Sequence, residues 1–304
     1  MKIERKEGQK SAFIAIVGRP NVGKSSLLNV MLGQKVAIVS QKPQTTRTRI
    51  MGVLTREETQ LVFIDTPGLH KPRTRLGDYM VKSITESISG VDVALLVVEA
   101  GQTPHKAELE LIERFKKEGM PAILAINKID TLLEKTKLAG QIAEYTALFD
   151  FVTVIPVSAT KLSGIDTLTK ELMGQAFESP HFFADDTLTD QPEKVLAAEI
   201  IREKLLRLLD KEIPHGIAVG IERMRERESG NVTDIDAVIY CEKESHKGIV
   251  IGKGGEMLKK VGSFAREDME NFFGGKINLQ TWVKVKEDWR NRDNLLRSFG
   301  YDEK

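Results

Sequence analysis

The stretch FIAIVGRPNVGKSSLLNVML, residues 13–32, joins a strand-like apolar run to a helix-like segment through a loop that contains glycine. Four of its residues fill the pattern G-x-x-x-x-G-K-S/T: Gly18, Gly23, Lys24 and Ser25. Glycine lets the backbone N–H groups of such a loop converge on one point, and the N-terminus of the following helix adds partial positive charge. The sequence therefore predicts a site for nucleotide phosphates, formed by Gly18, Arg19, Pro20, Asn21, Val22, Gly23, Lys24, Ser25 and Ser26.

A second motif, DTPG at residues 65–68, follows the strand-like run QLVFI. A strand tip directs its last carboxylate toward the metal, so Asp65 is predicted to act on Mg²⁺, through water, beside the Ser25 hydroxyl. Lys24 can reach the terminal phosphates, and the Gly68 N–H is predicted to meet the γ-phosphate. The predicted nucleotide-contacting residues of this motif are Asp65, Thr66, Pro67 and Gly68.

Two further motifs, NKID at residues 127–130 and SAT at residues 158–160, also end strand-like runs. The Asp130 carboxylate can accept hydrogen bonds from N1 and N2 of guanine, whereas adenine offers no such pair of donors. Asn127 and Lys128 are predicted to brace this pocket, and Ser158 with Ala159 to supply a backbone N–H for the guanine oxygen. Motifs at successive strand tips meet at one edge of a parallel sheet, where α/β folds bind ligands. The four motifs together predict a guanine-nucleotide site.

The polar loop QKPQTTRTR, residues 41–49, holds candidates for a further metal ligand. A threonine here can place its hydroxyl on Mg²⁺ and its N–H on the γ-phosphate, which would order the loop only when triphosphate is bound. Thr46 is the predicted residue and Thr45 the alternative. A solvated loop remains an open interpretation for the individual threonines.

Leu69 follows DTPG, at a position where many GTPases carry a glutamine that orients the attacking water. Either hydrolysis is slow, or another group supplies the missing charge. Asn21 is a candidate, because its amide oxygen could hold a monovalent cation such as K⁺ against the phosphates. His70 is a weaker candidate as a base, since phosphoryl transfer needs little base catalysis. The predicted catalytic residues are Thr46, Asp65, Gly68 and Asn21, and the other histidines, His181 among them, are predicted to lie at the surface.

The order of apolar runs along the chain predicts an α/β protein of two domains. The runs FIAIV, QLVFID, VALLVV, AILAIN and FVTVIPV alternate with helix-like segments, which indicates a mostly parallel sheet with helices on both faces. A polar stretch then precedes a helix, a hairpin-like pair, a glycine loop between two helices, and a strand. We predict a P-loop GTPase domain at residues 1–180, a linker at 181–191 and an α+β RNA-binding domain at 192–304.

Composition favours an ordinary globular protein of the cytoplasm. Of its 304 residues, 41% are hydrophobic and 29% charged, the net charge is +1, and no run approaches the roughly 20 apolar residues of a membrane helix. The single cysteine, Cys241, fits a reducing compartment. Residues 185–304 hold 21 Lys and Arg against 24 Asp and Glu. Any binding of nucleic acid by the second half must therefore use a local basic patch.

The second glycine loop, in GIVIGKGGEMLKK at residues 248–260, lacks the Lys-Ser pair of a nucleotide site. Its G-x-x-G turn lies inside the element order of a type II KH module, in which such a loop follows the backbone of about four nucleotides. Lys243 to Lys260 holds five lysines against two glutamates. A helix cap with solvated lysines is the alternative. The predicted RNA-binding residues are Ile249, Val250 and Ile251 as an apolar floor, with Gly252, Lys253, Gly254, Gly255 and Lys259 at the phosphates.

With these residues in hand, the chain resembles the Era family of bacterial GTPases over nearly its whole length. The matching motifs are GRPNVGKS, QTTR, DTPGLH, NKID, SAT, AAEIIREKL, VIGKGG and LQTWVKVK. A leucine after DTPG is usual in this family. In related GTPases the asparagine of the phosphate loop, here Asn21, is associated with dependence on potassium. The resemblance implies binding of GTP and GDP with Mg²⁺ and K⁺, and partners in the 3′ end of 16S rRNA and the 30S subunit. It also implies peripheral association with the inner membrane face, for which the sequence itself gives no sign.

The residues leave two alternatives to a hydrolysing GTPase whose nucleotide state controls RNA binding. One is a GTP sensor that hydrolyses only when assisted, which the Leu69 position favours. The other is a membrane or division regulator whose C-terminal module binds protein. A monomer is expected in each case.

Overall fold

A computed structural model of the chain describes residues 8–40, 42, 44–68, 74–88, 90–134, 136–210, 213–228 and 230–301. These residues form two compact units. The first takes its residues from Met1–Ala37, Thr46–Lys71 and Met80–Asp190, and the second from Ile38–Thr45, Pro72–Tyr79 and Gln191–Lys304. The domain boundaries drawn from the sequence, 1–180, 181–191 and 192–304, stay a prediction, and the contacts place residues 181–190 with the first unit.

The first unit is built on a seven-stranded sheet. Its strands are β1 Lys10–Val17, β2 Ile50–Arg56, β3 Thr59–Asp65, β4 Val93–Glu99, β5 Ala122–Asn127, β6 Thr153–Pro156 and β7 Phe177–Glu178. The strand order is β2-β3-β1-β4-β5-β6, and β7 pairs with β1. Strands β1, β3, β4, β5 and β6 run parallel, while β2 and β7 are antiparallel to their neighbours. The mostly parallel sheet agrees with the predicted fold class.

Helices cover both faces of this sheet because its central strands are apolar on both faces. The helices are α1 Lys24–Leu32, α2 Arg75–Ile88, α3 Lys106–Glu118, α4 Thr136–Leu148 and α5 Ile165–Met173. One face of β4, formed by Ala94, Leu96 and Val98, packs in a buried cluster with side chains of α2, α3 and α4. On the sheet's other side α1 and α5 contact β3. Side chains of a strand alternate between faces, so β4 contributes to both layers.

Residues 181–190, within the predicted linker, pack along the strands of the first unit. Val53 of β2 donates its N–H to the carbonyl of Leu188 at 2.9 Å. The buried side chain of Gln60, in β3, accepts the N–H of Phe182 at 2.8 Å. The bond from Val53 satisfies a backbone N–H on the edge strand β2, which would otherwise be open to pairing with another chain.

The surface prediction for His181 is wrong. Its side chain is buried, with Nδ1 at 2.7 Å from a carboxylate oxygen of Asp185 and Nε2 at 3.1 Å from the carbonyl of Glu58. The polar residues around it in the sequence concealed this burial, because its partner Glu58 lies 123 residues away.

The second unit has the element order that the sequence predicted as far as its last strand, and a further short helix follows. Its elements are α6 Glu193–Leu208, β8 Ala218–Glu226, β9 Val232–Cys241, α7 Glu244–Ile251, α8 Glu256–Phe273, β10 Lys276–Val285 and α9 Asp293–Ser298. The sheet order is β10-β9-β8, with β10 parallel and β8 antiparallel to β9. Buried residues Val261, Ala265 and Met269 recur every four positions along α8 and pack against α6 and the sheet.

The stretch Ile38–Thr45 belongs to the second unit through the backbone, which α6 holds. The fully buried carboxylate of Glu203 accepts the N–H of Val39 at 2.9 Å. The buried guanidinium of Arg202 donates to the carbonyl oxygens of Gln44 and Thr45. These bonds tie the described backbone at Val39, Gln44 and Thr45 to α6.

Candidate nucleotide and RNA sites

The first glycine loop connects β1 to α1, so residues 18–26 run from the end of a central strand into the first turn of a helix. The Lys24 side chain is 6% exposed, and its ammonium donates to the carbonyl oxygens of Gly18 at 3.0 Å and Arg19 at 2.9 Å. Burial lowers the pKa of Lys24 to about 8, against the opposing charge of Asp65. The loop therefore holds a cation at a helix N-terminus, which is an arrangement suited to phosphate.

The three predicted metal ligands are brought together. The Ser25 hydroxyl donates to Asp65 Oδ2 at 2.6 Å and lies 3.0 Å from the Thr46 hydroxyl. Thr46 Oγ1 is 3.5 Å from the same carboxylate oxygen. The alternative, Thr45, donates its hydroxyl to the carbonyl of Lys42 at 2.6 Å instead. The geometry thus favours Thr46 over Thr45 as a metal ligand.

The donor set of these residues fits Mg²⁺, which prefers hard oxygen ligands. Among the described residues, Asp65 Oδ1 is one of the few buried side-chain oxygens or nitrogens that have no hydrogen-bond partner. Burial raises the pKa of Asp65 to about 6, opposed by the charge of Lys24 and by hydrogen bonds from Ser25 and Thr46. A divalent cation would satisfy the orphaned oxygen and favour the ionised carboxylate.

The DTPG motif begins at the last residue of β3 and lies against the first glycine loop. A Cβ atom added to Gly68 would lie 2.6 Å from Pro20 Cα, so only glycine allows this close approach. The Thr66 hydroxyl donates to the carbonyl of Ile16 at 2.9 Å. These contacts hold the backbone of the motif beside the loop that would bind the phosphates. Leu69 and His70 lie outside the described residues.

Asn21, the predicted potassium ligand, lies at the exposed outer turn of the loop. Its backbone has a positive φ of 64°, an uncommon conformation that asparagine tolerates better than most residues. The conformation explains an asparagine here without requiring an ion.

The NKID and SAT motifs meet at the ends of β5 and β6. Asn127 donates its amide to the carbonyl of Val22 at 2.8 Å and accepts the Ala159 N–H at 3.2 Å. It therefore links the phosphate loop to the SAT motif. The Ser158 hydroxyl donates to Asp130 Oδ1 at 2.5 Å, which orients a carboxylate that is otherwise exposed. This is a geometry in which Asp130 can receive the two guanine donors.

Sequence reasoning missed Glu99, at the end of β4, as part of this pocket. Its carboxylate accepts the Lys128 ammonium at 2.8 Å. The buried side chain of Gln141 in α4 donates to the Glu99 carbonyl at 2.9 Å and accepts the Gly101 N–H at 2.8 Å. An acid at the tip of a strand between two motif-bearing strands was the available signal, since all these tips share one sheet edge.

The second glycine loop joins α7 to α8 through two left-handed glycines, Gly254 with φ 60° and Gly255 with φ 83°. Gly252 also has a positive φ, and a Cβ there would meet Met257 Cβ at 2.7 Å, whereas nothing lies within 4 Å of a Cβ at Gly254. Lys253 and Lys259 are exposed. The loop therefore presents glycine backbone and ammonium groups to solvent together.

One predicted RNA-contacting residue needs correction. Ile249 is 49% exposed, so it can form an apolar floor for bases, and Ile251 is partly exposed. Val250 is 0% exposed and lies in the core of the second unit. The three residues occupy the last turn of α7, where neighbours point about 100° apart, so they cannot share one face.

Comparison with protein families gives two matches. Residues 13–128 match the family described as 50S ribosome-binding GTPase, and residues 212–290 match the KH domain. The first match spans the phosphate loop, DTPG and part of NKID, and the second spans the glycine loop of the second unit. No helix in the described parts of the chain has the length and apolar character needed to cross a membrane.

Curated relatives match over almost the full chain. The GTPase Era of Ruminiclostridium cellulolyticum is 53% identical over 292 residues, which cover 96% of this chain and 97% of the relative. The GTPase Era of Clostridioides difficile is 50% identical over 97% of this chain and 99% of its own length.

Two solved structures match the whole fold at 38% identity, each covering 97% of this chain and 100% of its own. One is Era in complex with MgGDPNP and nucleotides 1506–1542 of 16S ribosomal RNA, with a TM-score of 0.92. The other is a tyrosine-to-alanine variant of Aquifex aeolicus Era bound to GDP·AlF₄⁻, with a TM-score of 0.93.

Proposed function

Because this chain belongs to the Era family of GTPases, we propose that it hydrolyses GTP at the first unit and that the bound nucleotide controls RNA binding by the KH module. The family membership and the P-loop fold with a C-terminal KH domain are established by relatives that match along almost the entire chain. The controlling role of the nucleotide is the part that goes beyond them.

The observation that carries this proposal is the junction between Thr45 and Thr46. The backbone up to Thr45 is held by Arg202 and Glu203 of α6, in the second unit, while Thr46 reaches the Ser25 and Asp65 side chains of the first. Binding of Mg²⁺ and γ-phosphate at Thr46 would therefore restrain the stretch Ile38–Thr45, which ends at the preceding peptide bond. A ligand shifts a conformational equilibrium only as far as it binds one state more tightly than the other. GTP and GDP should therefore differ in their effect on this stretch, because only GTP carries the γ-phosphate.

The phosphates, the guanine base and the metal ion each have proposed partners in this chain. Lys24 and the backbone N–H groups of the first glycine loop bind the phosphates, and Asp130 selects guanine. Mg²⁺, when bound, neutralises charge on the phosphate oxygens, and Ser25, Thr46 and Asp65 are the residues that would hold it. These groups position the phosphates and stabilise the charge that develops on them, which is most of what phosphoryl transfer requires of a protein.

The proposed RNA partner is the 3′ end of 16S rRNA, bound during assembly of the 30S subunit. The related Era crystal structure with nucleotides 1506–1542 supports this partner. Lys253 and Lys259 would contact phosphates of the strand, and the exposed Ile249 would lie under its bases. The five lysines between Lys243 and Lys260 supply the local positive charge that the acidic second half otherwise lacks.

Four finer points rest on the sequence and on the family resemblance and are proposed on that basis. They are a potassium ion held at Asn21, slow intrinsic turnover, a monomeric state, and a cytoplasmic location with peripheral association to the inner membrane face.

The RNA assignment predicts the effect of Gly254→Asp. A side chain at Gly254 meets open space, unlike one at Gly252, and an aspartate in a left-handed conformation costs only about 1–2 kcal/mol, so the variant should fold. Its carboxylate would face the phosphates of the RNA, and like charges brought together cost several kcal/mol. We expect affinity for a short single-stranded RNA, measured by fluorescence anisotropy, to fall by about tenfold or more.

Gly274→Asp is the matched control. Gly274 also has a left-handed φ of 75° and open space around a Cβ, but it ends α8 at the opposite terminus from the loop. This control should retain RNA affinity, and both variants should retain GTP affinity. Equal losses of RNA affinity in the two variants would show that the second glycine loop is not part of the RNA site.

A further inference from the structure

A buried acid in the first unit, Glu108, contacts the phosphate loop. Glu108 lies in the first turn of α3, its side chain is 0% exposed, and its two oxygens serve different partners. Oε1 accepts the Arg19 guanidinium Nε–H at 2.7 Å. Oε2 accepts the N–H of His105 at 2.9 Å and the hydroxyl of the fully buried Tyr145 at 2.7 Å.

The contacts of Oε2 have a structural explanation. The bond to the His105 N–H is half of a capping box that begins α3, and Tyr145 ties α3 to α4. Burial raises the pKa of the Tyr145 hydroxyl, with the hydrogen bond to Glu108 contributing, so the hydroxyl remains a donor. Neither contact requires a residue of the phosphate loop.

The contact of Oε1 neither caps α3 nor ties two helices together. Its partner Arg19 is 89 residues away and lies in the first glycine loop. Arg19 immediately follows Gly18, and the carbonyl oxygens of these two residues are the acceptors of the Lys24 ammonium. A side chain fixed at Arg19 therefore fixes the direction of a carbonyl that holds Lys24. The ion pair is partly exposed on the Arg19 side, at 24%, and fully buried on the Glu108 side.

We infer that Glu108 is a positioning residue for GTP hydrolysis, which holds Arg19 so that the Arg19 and Gly18 carbonyls aim the Lys24 ammonium at the phosphates. The inference rests on the proposed GTPase activity. Glu108 touches no nucleotide, and its effect passes through two hydrogen bonds, from Oε1 to Arg19 and from the Arg19 carbonyl to Lys24. Misplacement of a catalytic group by about 1 Å can cost up to roughly a hundredfold in rate.

The test compares kcat and KM for GTP in the wild-type protein, Glu108→Gln, Arg19→Ala and the double variant. Glutamine has the size of glutamate but carries no charge and has one acceptor atom for three donors, so the ion pair with Arg19 is lost. We expect kcat to fall by about tenfold or more in each single variant, because Lys24 stabilises charge that develops during phosphoryl transfer. The double variant should be no worse than either single one, since both break the same link.

Tyr145→Phe separates positioning from stability. It removes a buried hydrogen bond to Oε2 and leaves Oε1 on Arg19, so its melting temperature should fall while kcat stays within about twofold of wild type. Wild-type kcat in Glu108→Gln would overturn the inference. So would a loss of kcat in Tyr145→Phe equal to that in Glu108→Gln, or independent losses that multiply in the double variant.

A failure of the GTPase assignment gives a different result. A wild-type protein without GTP turnover would contradict the proposed function, and the affinity for a fluorescent GTP analogue would then test the inference in the same variants. If Glu108 aims Lys24, that affinity falls in Glu108→Gln and Arg19→Ala but not in Tyr145→Phe. Equal affinity in all four proteins would overturn it.

Discussion

Asp130→Asn is expected to weaken GTP binding by about 100-fold and to make xanthosine triphosphate the better ligand. The carboxylate can accept two hydrogen bonds from N1 and N2 of guanine, and hydrogen bonds to a charged group are worth roughly 1.5–3 kcal/mol each. An asparagine amide presents one donor, which would oppose the guanine amino group. Xanthine carries an oxygen in place of that amino group, so the same donor then gains an acceptor. Competition of both triphosphates against a fluorescent nucleotide measures the switch.

Ser158→Ala is the control for this prediction. Ser158 donates to Asp130 Oδ1, so its loss removes the orienting bond and leaves the carboxylate in place. We expect a fall in GTP affinity of about tenfold or less and no preference for xanthine. An unchanged preference for GTP in Asp130→Asn would show that this carboxylate does not read the base.

Lys24→Ala is expected to reduce GTP affinity by about 100-fold or more while leaving RNA affinity in the absence of nucleotide unchanged. The ammonium is buried and held by two carbonyl oxygens, so its charge acts in a medium of low polarity. Removing one partner of a buried charged contact costs about 2–5 kcal/mol. Titration calorimetry with GDP and a GTP analogue measures the loss, and thermal unfolding without nucleotide checks the fold.

Lys253→Ala gives the reciprocal result in the other glycine loop. Lys253 is exposed, so the variant should fold and keep its GTP affinity. Its affinity for RNA should fall by a similar factor for every RNA sequence, and that affinity should depend less on salt concentration. Lys24 would then act on the phosphates of a nucleotide and Lys253 on the phosphates of an RNA backbone. A loss of GTP affinity in Lys253→Ala would contradict that division.

The candidate nucleotide-site residues could be grouped from the sequence because they lie at strand tips. Asp65 and Asn127 each end an apolar run, and parallel strands bring such ends to one edge without any further information. The order of elements in the KH module could also be predicted, since apolar residues recur at every second position in a strand and at every third or fourth position in a helix. Strand β2 was missed, because Gly52 interrupts a short run and the strand depends on pairing with β3.

What the sequence did not reveal are contacts between distant residues. Val250 follows the exposed Ile249 in an apolar triplet, and only the helical rotation of α7 separates their environments. The His105-x-x-Glu108 spacing indicates a capping box, but it gives no sign that the other oxygen reaches Arg19. Such pairings depend on tertiary packing and have no local pattern.

The most direct test of the account measures the affinity of the full chain for a single-stranded RNA equivalent to 16S nucleotides 1506–1542, with Mg²⁺ and either a non-hydrolysable GTP analogue or GDP. The Thr45–Thr46 junction predicts that the two affinities differ by about fivefold or more, within the usual range of coupling between sites. The difference should vanish in Lys24→Ala at nucleotide concentrations that saturate only the wild-type protein. Equal RNA affinities of the wild-type protein in its two nucleotide states would contradict nucleotide control of the KH module.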